Sequence, residues 1–180
     1  SSSFTSRMVQ LVYNHWAEGN SEQALELLHF LKEKHMPFIS KIGRDDVLIQ
    51  SVMEHHAPID IDFIKMVLES GLVNVNTCIT RNEDPGCHRV QTPFSVAFGA
   101  ENLELLQLLL EHGADPYLAN RTWEQITQAG DPDIDIIIHS TLGLEKKTHE
   151  EIMEFYVQVH ELILDFFLEK LARVTESIEI

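Results

Sequence analysis

The chain has 180 residues, of which 44% are apolar and 23% are charged, as is typical of one soluble domain or one compact array of small units. The 13 Lys and Arg residues are outnumbered by 29 Asp and Glu residues, giving a formal charge of −16. This excess of acid argues against a nucleic-acid or membrane partner, because Lys and Arg make most contacts to phosphate. Only eight Gly and six Pro residues are present, which argues against a turn-rich all-β fold.

Features of the whole chain favour an intracellular location. Cys78 and Cys87 are too few for a disulfide framework, which favours a reducing compartment. No signal peptide is evident, and the absence of an initiator Met leads us to expect a fragment of a longer protein. We expect a cytoplasmic protein, with the nucleus, or a host cytosol if the chain is a delivered effector, as alternatives.

The first 76 residues contain two predicted helix pairs. In the first pair, the segment from Arg7 to Trp16 precedes a helix from Ala24 to His35. The second pair consists of Asp46 to Ser51 and Phe63 to Gly71. The second helix of that pair ends at a glycine, which is a common helix stop.

Residues 77–91 have the pattern of a β-hairpin. A turn signal lies between Asn82 and Gly86, and residues on both sides of it are acceptable in short strands. The sequence therefore predicts two short antiparallel strands on either side of this turn.

The segment from Thr92 to Pro116 contains the clearest helix-pair motif. Thr92 can cap a helix, and Pro93 suits the first helical position, where its missing N–H is not needed. Leucines recur at helical spacing from Leu103 to Leu110, and Gly113 can adopt the left-handed conformation that ends a helix. A poorer copy follows, at about residues 121–144.

Residues 145–180 predict a C-terminal helical extension. This segment contains no Gly or Pro as far as Ser177, and Thr148 with Glu151 forms a capping-box pattern. It has two apolar stripes, whereas a surface helix usually has one. We expect a cap that folds back as two shorter helices; the alternative is that the second stripe contacts a missing segment, a partner or a second subunit. The stripes comprise Ile152, Tyr156, Val159, Ile163 and Phe166, and Met153, Val157, Leu164, Leu168 and Leu171.

The run Thr92-Pro93-Phe94-Ser95-Val96-Ala97, followed by Gly113-Ala114-Asp115, resembles the ankyrin repeat. The resemblance implies an all-α ankyrin-repeat solenoid of about four helix pairs with hairpin loops, plus a C-terminal helical cap. The array would occupy residues 4–144, with units at about 4–40, 44–76, 92–120 and 121–144. Relative to the family, residues 77–91 contain roughly eight extra residues, which we interpret as an elongated finger, since inserts in repeats often lie on the binding face. The alternative is a drifted loop without a partner.

The ankyrin resemblance also implies a protein-binding module, with contacts at the hairpin fingers and the concave face of the first helices. We expect a protein partner with a basic or mixed-charge surface, and self-association through the C-terminal helix is a further possibility. Trp123 could anchor a partner or pack into the last unit. The finger candidates are Arg81, Asn82, Glu83, Asp84, His88 and Arg89, then Tyr117 and Arg121; the concave-face candidates are Gln50, Glu54, Ser95, Phe98 and Glu101.

Motifs for catalysis or metal binding are missing from the sequence. The chain has no nucleophile elbow and no phosphate-binding glycine loop, and its ten histidines have no convincing ligand spacing. We therefore predict no catalytic residues, no metal, no cofactor and no enzymatic activity. The alternative function is a fragment of an enzyme or pathogen effector whose catalytic region lies outside this chain or in its C-terminal helical part.

Overall fold

The computed structural model describes residues 2–34, 46–55, 60–84, 87–127 and 149–178. In these residues the fold is helical apart from one two-stranded hairpin, which confirms the all-α class. The elements, in chain order, are α1 Ser2–Ala17, α2 Ser21–Glu33, α3 Leu48–His55, α4 Ile61–Glu69, β1 Ile79–Asp84, β2 Cys87–Gln91, α5 Pro93–Gly99, α6 Leu103–Glu111, α7 Leu118–Thr127 and α8 His149–Ile178.

The first six helices pack as three successive pairs, α1 with α2, α3 with α4, and α5 with α6. The first helices of the pairs also pack in series, since α3 contacts both α1 and α5, and α4 contacts α6. Buried aliphatic side chains from all three pairs form one continuous core. Aromatic contacts strengthen the first junction, where the ring of Phe63 in α4 lies 5.2 Å from Tyr13 and 5.7 Å from Trp16.

The predicted helix boundaries have the expected local causes. The Thr92 side chain accepts a hydrogen bond from the backbone N–H of Ser95, and the Thr92 N–H donates to the Ser95 hydroxyl, forming a capping box. Gly71 and Gly113 follow α4 and α6 with φ of +72° and +88°. Only glycine adopts this backbone conformation without a steric penalty, so both positions stop their helices.

The C-terminal segment forms one 30-residue helix, α8, which packs beside α6. Phe155, Val159 and Ile163 are buried on its inner side. The expected cap of two shorter helices that fold back on each other is wrong, because nothing between residues 149 and 178 interrupts the helix. None of the described helices, α8 included, is both long enough and apolar enough to span a membrane. The second helix expected for the fourth unit lies outside the described residues.

Candidate protein-interaction surface

The predicted hairpin is present, and its strands pair antiparallel. Thr80 is opposite Val90, Arg81 is opposite Arg89, and Asn82 is opposite His88; an irregularity follows before Asp84 pairs with Cys87. The register therefore brings the six predicted finger residues, Arg81, Asn82, Glu83, Asp84, His88 and Arg89, into the outer part of one two-stranded ribbon. Their backbone is described, whereas their side chains lie outside the described part.

The root of the hairpin is attached to the helical array on both sides. Ile79 and Val90, at the inner ends of the strands, are buried. Gln91 Oε1 accepts a hydrogen bond of 3.2 Å from Gln50 Nε2 on α3. On the other side, Cys78 Sγ lies 3.5 Å from Thr122 Oγ1 on α7. The array thus positions the start and end of the ribbon, while residues 81–89 extend from this root.

Helix α7 packs against β2 and carries Arg121 near the same root. Tyr117 immediately precedes α7, four residues before Arg121, and both residues are exposed. Arg121 is oriented by Asp115, whose Oδ1 accepts a hydrogen bond of 3.3 Å from Arg121 Nη1. The same Asp115 oxygen accepts from the Tyr117 backbone N–H at 2.9 Å. The Arg121 guanidinium lowers the pKa of the Asp115 carboxyl, because the hydrogen bond stabilises its charged form.

Asn76 connects the turn before the hairpin to the turn after α6. Its Nδ2 donates to the Gly113 carbonyl at 3.0 Å, and its Oδ1 accepts from the Asp115 backbone N–H at 2.8 Å. The Asn76 side chain therefore pairs with one backbone acceptor and one backbone donor in the turn that ends the next helix pair. Through Asp115, this joint also fixes the position of Arg121 relative to the hairpin root. No local sequence pattern predicts this bridging role of Asn76, because its partners lie 37 and 39 residues later in the chain.

Three of the predicted concave-face contacts are buried, contrary to the prediction. Gln50 is 1% exposed and Ser95 is 4% exposed, each engaged in hydrogen bonds within the chain. Phe98 is 6% exposed, and its ring lies 4.8 Å from that of Phe155 on α8. These side chains are unavailable to a docking partner, because Gln91 and Glu54 engage Gln50, the capping box engages Ser95, and α8 covers Phe98.

Of the remaining predicted contacts, Glu54 lies beside the hairpin root and Glu101 lies in the turn between α5 and α6. Glu54 and Glu101 are exposed, and Glu54 Oε1 accepts a hydrogen bond of 3.0 Å from Gln50 Nε2. Glu101 has a φ of +56°, in the turn between α5 and α6. Trp123 belongs to α7, and its side chain lies outside the described part. The structure thus places Arg121 and Glu54 near the hairpin root, Glu54 through the Gln50 amide that it shares with Gln91.

Within the described residues, no group of three or more His, Cys, Asp or Glu side chains could hold a metal ion. No protein-family model, curated protein or solved structure matches this chain.

Proposed function

We propose that this chain is an ankyrin-like repeat array that acts as a protein–protein interaction module. The partner contacts the outer part of the β1–β2 hairpin together with Tyr117 and Arg121. The main support for the proposal is the serial packing of helix pairs with a hairpin inserted after the second pair. Such stacks present extended surfaces, and insertions within them frequently form the binding face.

Tyr117 and Arg121 are the side chains best suited to anchor the partner. Tyr and Arg are enriched among the residues that dominate binding energies at interfaces. Tyr117 is 40% exposed, and the ion pair with Asp115 holds Arg121 in one place before binding. A preorganised side chain loses less conformational entropy when a partner docks. We therefore expect a partner surface with an acidic group for Arg121 and an apolar pocket for Tyr117, surrounded by basic groups that face the acidic array.

The hairpin register defines a clean truncation that tests the proposal. Arg81 and Arg89 are directly opposite each other, so a two-residue Asn-Gly turn can replace residues 82–88 and close the ribbon. This variant retains the buried Ile79 and Val90 at the root. Intact and truncated chains would be used for affinity capture, and each captured protein would then be titrated as a purified component by calorimetry.

A stoichiometric partner that binds the intact chain and loses at least tenfold in affinity with the truncated chain is the expected result. The point variant Tyr117→Ala with Arg121→Ala should weaken the same complex. Arg7→Glu with Lys65→Glu, at exposed positions on α1 and α4, is the control and should bind normally. A purified partner that binds the truncated chain and the Tyr117/Arg121 variant as tightly as the intact chain would refute the proposed surface.

A further inference from the structure

The sequence of α8 contains a heptad pattern, here called the α8 seam, whose described side chains are exposed. Its residues alternate at spacings of three and four, as the a and d positions of a coiled coil do. The pattern continues through three heptads, the length at which a coiled coil becomes the favoured interpretation. The α8 seam consists of Val157, His160, Leu164, Phe167, Leu171, Val174 and Ile178.

The α8 seam is turned away from the buried stripe by roughly 110° around the helix. At 100° per residue, Leu164 and Leu171 point away from the buried Phe155 and Val159, whereas Phe167 and Val174 border the buried Ile163. From Phe167 to Ser177, every residue of α8 is exposed; Glu169, Lys170 and Arg173 line a groove with Gln107 and Glu111 of α6, and the seam residues lie outside that groove. A second helix can therefore lie along the seam without displacing the contacts that attach α8 to the array.

The exposed apolar area is sufficient for a modest interface. Five apolar seam residues, and Leu168 beside them, retain between 45% and 62% of their surface in solvent. At about 80–100 Å² for each half-exposed side chain, the stripe presents on the order of 500 Å². Two such stripes would bury up to about 1,000 Å² together, which is below the roughly 1,200 Å² at which stable interfaces begin and suits a weak, reversible dimer. The six side chains are Val157, Leu164, Phe167, Leu168, Leu171 and Val174.

The charges of α8 are compatible with a second copy. Between residues 157 and 178 no charged residue occupies a seam position, and the acidic side chains lie to the side or on the outside, at Glu161, Asp165, Glu169 and Glu176. In a parallel pair, residues that flank the seam meet across it five positions apart. Lys170 then faces Thr175, and the position that Glu161 meets carries no charged residue in the sequence, so no like charges are opposed despite the acidity of the chain.

We infer that the α8 seam binds the α8 seam of a second copy of this chain, as a parallel two-stranded coiled coil. The direction follows from His160, the single polar seam residue. A parallel pair places both His160 side chains in one layer, where they can hydrogen-bond to each other. An antiparallel pair would bury each of them against Leu171 of the other copy, which desolvates two polar groups without partners. A closed two-fold dimer is also the commonest arrangement of identical chains.

Sedimentation velocity tests the inference on the full chain alone, between about 1 and 200 µM, because an interface of this size is expected to dissociate in the micromolar range. The wild type should approach twice the 20.6 kDa mass of one chain as its concentration rises. Leu164→Glu with Leu171→Glu should stay monomeric while its far-UV circular dichroism stays helical. The matched control, Gln158→Glu with Ala172→Glu, adds the same charge to exposed positions beside the seam and should still dimerise.

A Val174→Cys variant in a background without Cys78 and Cys87 tests the direction. A parallel pair brings the two sulfurs close enough for a disulfide, whereas an antiparallel pair places Val174 opposite Val157. Rapid oxidation to a covalent dimer is expected, and its absence would overturn the parallel arrangement. A wild type that stays monomeric at the highest concentration would overturn self-association altogether and assign the seam to a different protein or segment. None of these outcomes depends on the partner proposed for the hairpin surface.

Discussion

The contact between Phe98 and Phe155 gives a quantitative test of how α8 is attached to the array. Both residues are buried, at 6% and 7% exposure, and their ring centroids are 4.8 Å apart. Phe98→Leu and Phe155→Leu remove the ring contact but keep much of the apolar volume, so each should lower the free energy of unfolding by about 1–2 kcal/mol. Aromatic pairs of this geometry contribute about 0.5–1.5 kcal/mol beyond their buried area.

The loss in free energy of unfolding for the double variant should therefore be about 0.5–1.5 kcal/mol smaller than the sum of the losses for the two single variants, because each single substitution already removes the ring contact. Urea unfolding followed by circular dichroism would measure all four members of the cycle. Phe98→Leu combined with Leu28→Ala, on α2 at the other end of the array, is the control and should be additive within about 0.5 kcal/mol. Additive losses for Phe98 and Phe155 would contradict the placement of α8 on the array.

Three further predictions concern the joint between the helix pairs. Asn76→Ala should lower the free energy of unfolding by about 1–2 kcal/mol in urea unfolding, because it removes the hydrogen bonds to Gly113 and Asp115. Asn76→Asp should not recover this loss, since a carboxylate oxygen in place of the Nδ2 donor would repel the Gly113 carbonyl. Gly113→Ala should lower the free energy of unfolding by about 1 kcal/mol because residue 113 has a positive φ, and no atom crowds the added Cβ. Gly113→Asn should lower it less, and thermal unfolding would measure both variants. Because the pKa of Asp115 is lowered in the folded state, its ion pair with Arg121 stabilises the fold at neutral pH. This contribution is lost as the pH falls through the folded-state pKa of Asp115. The stability difference between wild type and Asp115→Asn should thus be constant above about pH 5 and shrink below about pH 4, and a difference that grows on acidification would contradict the assignment.

Helices, caps and the hairpin were predictable because their signals are local. The capping box of Thr92 and Ser95 needs only residues three positions apart, and Gly113 stops α6 through its own backbone. The turn signal of residues 82–86 likewise specifies where the two strands reverse direction. These local features were sufficient to predict the helical class and the hairpin.

The candidate surface depends on contacts between residues distant in the sequence. Phe98 has the spacing of an exposed first-helix residue, yet Phe155, 57 positions later, covers it. Gln50 is similarly occupied by Gln91, 41 residues away. No local pattern contains this information, because many later apolar side chains could cover Phe98 equally well. Three of the five predicted concave-face contacts were therefore wrong about exposure, whereas Tyr117, Arg121, Glu54 and Glu101 are exposed.

The two apolar stripes of the C-terminal segment show which features the sequence determines and which depend on tertiary packing. The spacing of apolar residues, together with the absence of Gly and Pro, was enough to predict helical structure with more apolar surface than one packing face requires. It could not determine which stripe the array would cover, since both have helical spacing and similar hydrophobicity. Packing beside α6 buries Phe155, Val159 and Ile163 and leaves Leu164 and Leu171 in solvent. Periodicity is a property of one helix, but burial depends on the shape of the surface that the helix meets.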